Sequence, residues 1–198
     1  MIIMKISNSD KITKKQLSHD RIVEVTSQAI RRSGYDGTGI ADIMKEAGLT
    51  HGGFYAHFAS REALLAEAAD RAGADAVALT ASIAAAAPAG QAVPAMMRAY
   101  LSDEHVKNVE FGCPIAALGS EMPRQCDGVR HAATRHIKEM VDLVARQSQD
   151  WGQPEAHEDA LFKVATMVGT LLLARAVDDP KLSANLLKAT LNHFNADT

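Results

Sequence analysis

Apolar residues recur at intervals of three and four along almost the whole of this 198-residue chain, the spacing that gathers side chains on one face of an α-helix. Alternation with a period of two, the mark of a half-buried strand, is hard to find. The pattern predicts an all-α fold of about nine helices. A first helix is expected from about Asp20 to Ser33, with Ile22, Val23, Thr26, Ala29 and Ile30 as its apolar stripe, Arg21, Arg31 and Arg32 off it, and Gly34 to stop it. Between Thr38 and Phe58 the period survives only in two short pieces, Ile40, Ile43, Met44 and Ala47, then Phe54 and Phe58. Gly48 suits the left-handed backbone that ends a helix, and Thr50 can cap the next. His51, Gly52, Tyr55, Ala56 and His57 fall on the remaining faces of that second piece. Barely two turns long, it is too short to be stable unless neighbours hold it. Two short helices around a tight turn form a helix-turn-helix, whose second helix is presented to the major groove of DNA.

Beyond it, Ser60 can cap a long helix starting near Arg61 and carrying Leu64, Leu65, Ala68, Ala72 and Ala76 into the alanine run at 84–87, with Pro88 and Gly90 as a break. A helix is expected over Val93 to Leu101, then a polar stretch from Ser102 to Gly112, then a short apolar segment from Cys113 to Met122 in which Pro114 suits a first helical turn. A long helix is expected from about Asp127 to Asp150, closed by Gly152 and Pro154, and a final pair over 155–177 and 181–194. The predicted organisation is a flexible arm over 1–17, a helix-turn-helix domain over 18–66 and a helical domain over 67–198. No internal repeat at a fixed period is present.

Hydrophobic content of 47% in a chain of this length allows a sizeable core. The net charge of −3 hides an asymmetry. Residues 1–65 hold nine Lys and Arg against seven Asp and Glu, and the remainder holds twelve against seventeen. A mild basic bias at the front suits a local phosphate contact; Lys11, Lys14 and Lys15 could track backbone, but a solvated arm is the plainer explanation for them. The opening residues lack the apolar core of a secretory leader, and the most apolar window, Val164 to Val177, is bracketed by Lys163 and Asp178 and interrupted by Arg175. A soluble, cytoplasmic protein with no membrane partner is expected, and Cys113 and Cys126 are expected to be free thiols.

The stretch from residue 20 to 66 resembles the TetR family of one-component bacterial transcriptional regulators. The residues that carry the likeness are Gly34-Tyr35, Thr38, Ile40, Asp42, Ile43, Ala47-Gly48-Leu49-Thr50, Gly53-Phe54-Tyr55-Ala56-His57-Phe58 and Ser60-Arg61-Glu62-Ala63-Leu64-Leu65. The remaining residues match only in length, helical content and the long closing helices. Two positions depart from the family pattern. Gly39 stands where Ser or Thr is commoner, and Met44 where a small Ala usually packs; Gly is a tolerable cap, and Met is flexible enough to fill an irregular gap. The resemblance implies that Thr50, His51, Gly52, Tyr55 and His57 face DNA. Thr38 and Arg61 would add phosphate contacts, Arg61 at a helix N-terminus. Hydroxyls on Thr50 and Tyr55 can bond phosphate oxygens, His51 can reach a base edge, and Gly52 lets backbone approach closely. For Tyr55 and His57 the alternative is packing within a small three-helix domain.

The resemblance also implies a homodimer on a double-stranded, palindromic operator, a two-fold four-helix bundle between subunits and a small-molecule effector. Interface candidates are Leu161, Val164, Val168 and Leu172 with Leu182, Leu186 and Leu191. Pocket candidates for a small, largely apolar molecule are Met96, Met97, Tyr100, Phe111, Cys113, Ile115, Leu118, Met122 and Met167. Cys113, just before Pro114, opens two further readings: a redox or electrophile sensor in the same scaffold, or a small all-α enzyme pairing the thiol with a histidine. Packing as a small core residue is the plain alternative for it. His131 and His136, five apart, do not share a helix face as metal ligands would. No phosphate loop, nucleophile elbow or HExxH pattern occurs, so no catalytic site, metal or cofactor is expected.

Overall fold

Helix α1 (Lys14–Ser33) begins where the Thr13 hydroxyl accepts the amide of Gln16 at 3.1 Å. The computed structural model describes residues 13–196, so residues 1–12 of the predicted arm, Lys11 among them, lie outside the described residues. The helix starts earlier than Asp20 because its polar-looking first turns have a tertiary partner: the His19 ring stacks on Phe58, centroids 4.6 Å apart. Apolar spacing could not register that contact.

Helix α2 (Ile40–Glu46) is followed by a 3-10 helix over His51–Ala56, and α3 (Arg61–Ala86) leads into the larger domain. That domain contains α4 (Ala92–Tyr100), α5 (Asp103–Lys107), α6 (Pro114–Leu118), a 3-10 turn at Met122–Arg124, α7 (Asp127–Ala145), α8 (Pro154–Ala176) and α9 (Pro180–Ala196). The fold is all-α, with no strand among the described residues. Helix α5 arises inside the stretch expected to be merely polar, because Ser102 accepts the amide of His105 at 3.2 Å and so caps a first turn. Helix α7 stops before the predicted Asp150. Amides of Gln147 and Ser148 bond the carbonyls three residues back, and the Ser148 hydroxyl then takes the Asp150 amide at 3.2 Å, a local alternative to further helix.

The cores are separate. Ile22, Ile43, Met44, Phe54, Phe58 and Leu64 close the small head. Ile30, Tyr35, Leu65, Leu118, Met122 and Val129 form a second cluster that joins the head to the larger domain. Two further clusters, around Met167 with Leu171 and around Met140 with Val144, lie inside that domain. Helices α3 and α7 approach closely at Gly73, where an added Cβ would stand 2.2 Å from the His136 ring. His136 fills the space and faces carboxylates on both sides, Asp70 at 2.6 Å and Glu139 at 2.6 Å.

Candidate nucleic-acid interface and the cavities behind it

The turn between α2 and the 3-10 helix is fixed from both sides. Gly48, at φ 74°, allows the Leu49 amide to bond the Met44 carbonyl at 2.8 Å, the wrapped ending of a helix. Arg21 on α1 donates to the Ala47 carbonyl at 2.7 Å, satisfying a group the helix end leaves open. Phe54 is fully buried and stacks at 5.6 Å on Phe58, so the six-residue helix is held by one face. Its i to i+3 bonds, Gly53 to Thr50 and His57 to Phe54, make it a 3-10 helix where an α-helical reader was expected. Two consecutive glycines supply little α preference of their own. Met44, fully buried, reaches Gly53 with its methyl group, the gap-filling role expected of it.

Thr50, His51, Gly52, Tyr55 and Ala56 stand exposed on one surface, Tyr55 at 71%. Thr50 makes no capping bond. A Cβ on Gly52 would meet nothing within 4 Å, so internal packing does not demand the glycine. His57 is half-buried and leans toward α1, its ring 6.2 Å from His19. Burial holds the His57 imidazole below its ordinary pKa, with His19 and Lys15 acting in the same direction. Thr38 and Arg61 are not presented with this group. Thr38 is 5% exposed and donates to the Gly34 carbonyl at 2.8 Å. Arg61 donates to the carbonyls of Tyr35 and Thr38, because the turn at 34–38 would otherwise leave those oxygens unpaired. Lys14 and Lys15 are exposed at the start of α1.

Behind the head, the 108–113 loop is clasped by α1. Arg31, 4% exposed, donates to Ser27 O at 2.9 Å and to Gly112 O at 3.1 Å. Burial lowers its pKa, an effect opposed by Asp75, Cys113 and Glu110. Arg32 bridges Glu46 at 3.1 Å and Glu110 at 3.2 Å. The Tyr35 amide donates to Glu121 at 2.9 Å. Sequence reasoning missed Arg31 and Glu121. The available signal was Ser27 and Arg31, four apart beside the apolar stripe.

The predicted pocket residues divide among three cavities. Tyr100, Cys113, Ile115 and Met167 line one of about 240 Å³ between α3, α7 and α8. Met96, Tyr100, Phe111 and Cys113 line another of about 400 Å³ between α3, α4 and the 102–113 stretch. Met97 faces a third, of about 470 Å³, beside Phe162 and Phe194. Leu118 and Met122 belong instead to the cluster joining the two domains. Cys113 is a free thiol, 7% exposed, and its backbone amide donates to His105 Nε2 at 3.0 Å. His105 in turn donates from Nδ1 to the Tyr100 carbonyl at 2.7 Å, so the imidazole is directed at the amide of Cys113 and not at its sulfur. Burial lowers the His105 pKa; the bond to Tyr100 opposes this and Arg175 adds to it. Cys126 is also free.

Of the interface candidates, Leu161, Leu172 and Leu182 are exposed at 47%, 39% and 45%, alongside Leu173 at 51%. Leu186 and Leu191 are half-buried. Val164 is buried, and Leu161, Val164 and Val168 line the 240 Å³ cavity. Among the described residues no cluster of His, Cys, Asp or Glu could hold a metal, and no helix is long and apolar enough to cross a membrane.

The sequence pattern of the family described as bacterial regulatory proteins, tetR family, matches residues 22–68. No curated protein matches the chain in sequence. Among solved structures, E. coli NemR in its reduced form superimposes with a TM-score of 0.76 at 18% identity, covering 89% of this chain and 94% of that one. A TetR transcriptional regulator from Chloroflexus aurantiacus gives 0.75 at 26% identity, over 92% and 96% of the two chains. A TetR-family regulator from Agrobacterium tumefaciens gives 0.74 at 22%, over 91% and 98%.

Proposed function

We infer, from the match of residues 22–68 to the tetR family and a fold similar to that of solved regulators, that this chain is a DNA-binding transcriptional regulator of that family and a ligand-released repressor. In this reading it binds a palindromic operator as a homodimer and leaves it when a small, largely apolar molecule enters the larger domain. The observation that carries the reading is the Arg31 to Gly112 contact. Gly112 lines the 400 Å³ cavity, so a helix of the DNA-binding head is hydrogen-bonded to the cavity wall itself. A ligand that fits better when the 108–113 loop shifts would shift α1 with it, and with α1 the spacing of two heads on one operator. That is a population shift between two arrangements, driven by the ligand's preference for one.

Thr50, His51, Gly52 and Tyr55 make the DNA contacts in this proposal, with His57 at their edge. Thr38 and Arg61 act by holding the turn beneath them. The exposed stripe of Leu161, Leu172 and Leu182, with Leu186 beside it, supports pairing of α8 and α9 with a second copy, since a face this apolar is rare on a monomer. The thiol reading draws on Cys113 lying in the wall of two cavities at once.

A gel shift on the DNA upstream of the protein's own gene, repeated across salt concentrations, tests the proposal. A palindromic site should be preferred over random DNA, with one dimer bound per site by light scattering. Equal affinity for random DNA at every salt concentration, or a monomer on DNA, would defeat it.

A further inference from the structure

Two cavities meet at Tyr100. Ala76, Tyr100 and Cys113 line both the 240 Å³ cavity and the 400 Å³ cavity. Tyr100 is 7% exposed, and its hydroxyl is buried with no oxygen or nitrogen partner, only the weakly hydrogen-bonding thiol of Cys113 beside it. Buried hydroxyls are nearly always satisfied, because an unpaired one has given up water and gained nothing. This one stands where two voids adjoin. Loose backbone does not explain it: the Tyr100 carbonyl accepts His105 Nδ1–H at 2.7 Å, and the two rings meet edge to face at 4.7 Å.

The geometry points to the two cavities being lobes of one ligand site, taken by an uncharged, largely apolar molecule that sets a hydrogen-bond acceptor near its middle on the Tyr100 hydroxyl. This rests on the ligand-responsive reading above and narrows it to a chemical class. One lobe is walled by Val141, Val164 and Met167, the other in part by Ile83, Met96 and Phe111. A molecule reaching both passes Tyr100, so its acceptor lies between two apolar ends. Neither lobe is lined by Lys or Arg. Arg175 lies against Gly112 but outside both linings; its Nη2 and Nε donate to the carbonyls of His105 at 2.5 Å and Val106 at 3.3 Å, and its Nη1 is buried without a partner. Glu104 lines the larger lobe. A carboxylate in either lobe would therefore lose its water without meeting a cation in the wall, and in the larger lobe it would meet the like charge of Glu104.

Benzophenone, diphenylmethane and diphenylacetate share a two-ring shape and differ at the centre, as a carbonyl, a methylene and a carboxylate-bearing carbon. Calorimetric titration of each into the full-length protein should show benzophenone binding roughly tenfold tighter than diphenylmethane, with diphenylacetate weakest. Tyr100→Phe should erase the advantage of the ketone and leave the affinity for diphenylmethane unchanged. That variant loses a hydroxyl whose neighbour is at most the weakly bonding Cys113 thiol, so its ligand-free melting temperature should change little. Ala76→Leu, which narrows the junction, should weaken binding of both uncharged probes. Equal affinities for ketone and hydrocarbon, or tightest binding of diphenylacetate, would overturn the acceptor assignment while a ligand-binding domain still stood. Binding of none of the three would overturn the assignment and, with it, the ligand-responsive reading for molecules of this size.

Discussion

Arg31 on α1 donates from Nη1 to the carbonyl oxygen of Gly112 at 3.1 Å, tying together residues 81 apart in sequence. Its Nε bond to Ser27 O holds the guanidinium in place, and burial at 4% exposure removes water as a substitute partner. Arg31→Met keeps much of the side-chain volume and leaves the Gly112 carbonyl unpaired. Loss of about 2 kcal/mol in urea unfolding is expected, the magnitude of a buried bond to a charged donor. Arg31→Lys should recover little of it, since one ammonium cannot reproduce a planar fork reaching two carbonyls. A variant as stable as the wild type would show that the contact does not join the domains energetically.

Phe54→Ala should cost about 3–5 kcal/mol of head stability, the range for emptying a fully buried aromatic site. Far-UV circular dichroism should retain most of its helical signal while DNA binding disappears, because Phe54 packs in a core separate from those of α8 and α9. Complete loss of helicity would mean that the cores unfold as one unit.

Gly52→Ala separates folding from recognition. Nothing lies within 4 Å of the added methyl group, so stability should hold or rise by about 0.5–1 kcal/mol as backbone entropy in the unfolded chain is reduced. Operator affinity should fall roughly tenfold if DNA backbone or bases approach this surface. Undiminished affinity would remove Gly52 from the interface.

Stability should fall as the solution is acidified below the ordinary histidine value of 6.5. Burial keeps the folded pKa of His57 and of His105 beneath that value, so below pH 6.5 the unfolded chain takes up protons that the folded chain does not. Acid thus draws the equilibrium toward unfolding, and the loss levels off once pH passes the folded values. The His105→Gln variant should show a shallower decline between about pH 5 and 7 in denaturant titrations. A protein that grows more stable over that range would contradict the assignment.

Cys113→Ser tests the thiol reading. With an effector acting through cavity occupancy, DNA binding and its release should both persist in the variant. Release that vanishes with the sulfur would make Cys113 the sensor.

How much of this was legible follows from what each residue depends on. The head was readable because its period, its glycine stop at Gly48 and its paired Phe54 and Phe58 are local signals, all within one short stretch. Helix α1 was cut short because Lys15, Gln16 and Ser18 carry no apolar period; the anchor of that turn is His19 on Phe58, a contact across 39 positions in the chain. Thr38 and Arg61 were read as outward-facing because nothing in the sequence says that the carbonyls at 35 and 38 need a donor. The pocket candidates were chosen for being bulky and apolar in the right region, and that criterion cannot tell a cavity wall from a seam. Leu118 and Met122 are seam, while Gly73, Ala76 and Val77, on the face of α3 that looked like ordinary helix packing, border a void.

All four arginines of residues 18–66 have partners within the protein, although Arg21 and Arg32 are exposed: Arg21 on Ala47, Arg31 on Gly112, Arg32 on two glutamates and Arg61 on the 34–38 turn. Among the described residues of the head region, Lys14, Lys15 and Lys45 are exposed lysines, and exposed Arg21 and Arg32 could reach phosphates only by leaving the partners they have. Each phosphate neutralised by a cation frees condensed counterions, and the number freed sets how steeply affinity falls with salt. A head whose arginines keep their partners within the protein frees few. In the proposed dimeric complex its grip on DNA would come from hydroxyls, backbone amides and the fit of two heads to one helical turn, and should survive ionic strengths that strip a highly basic protein from its site.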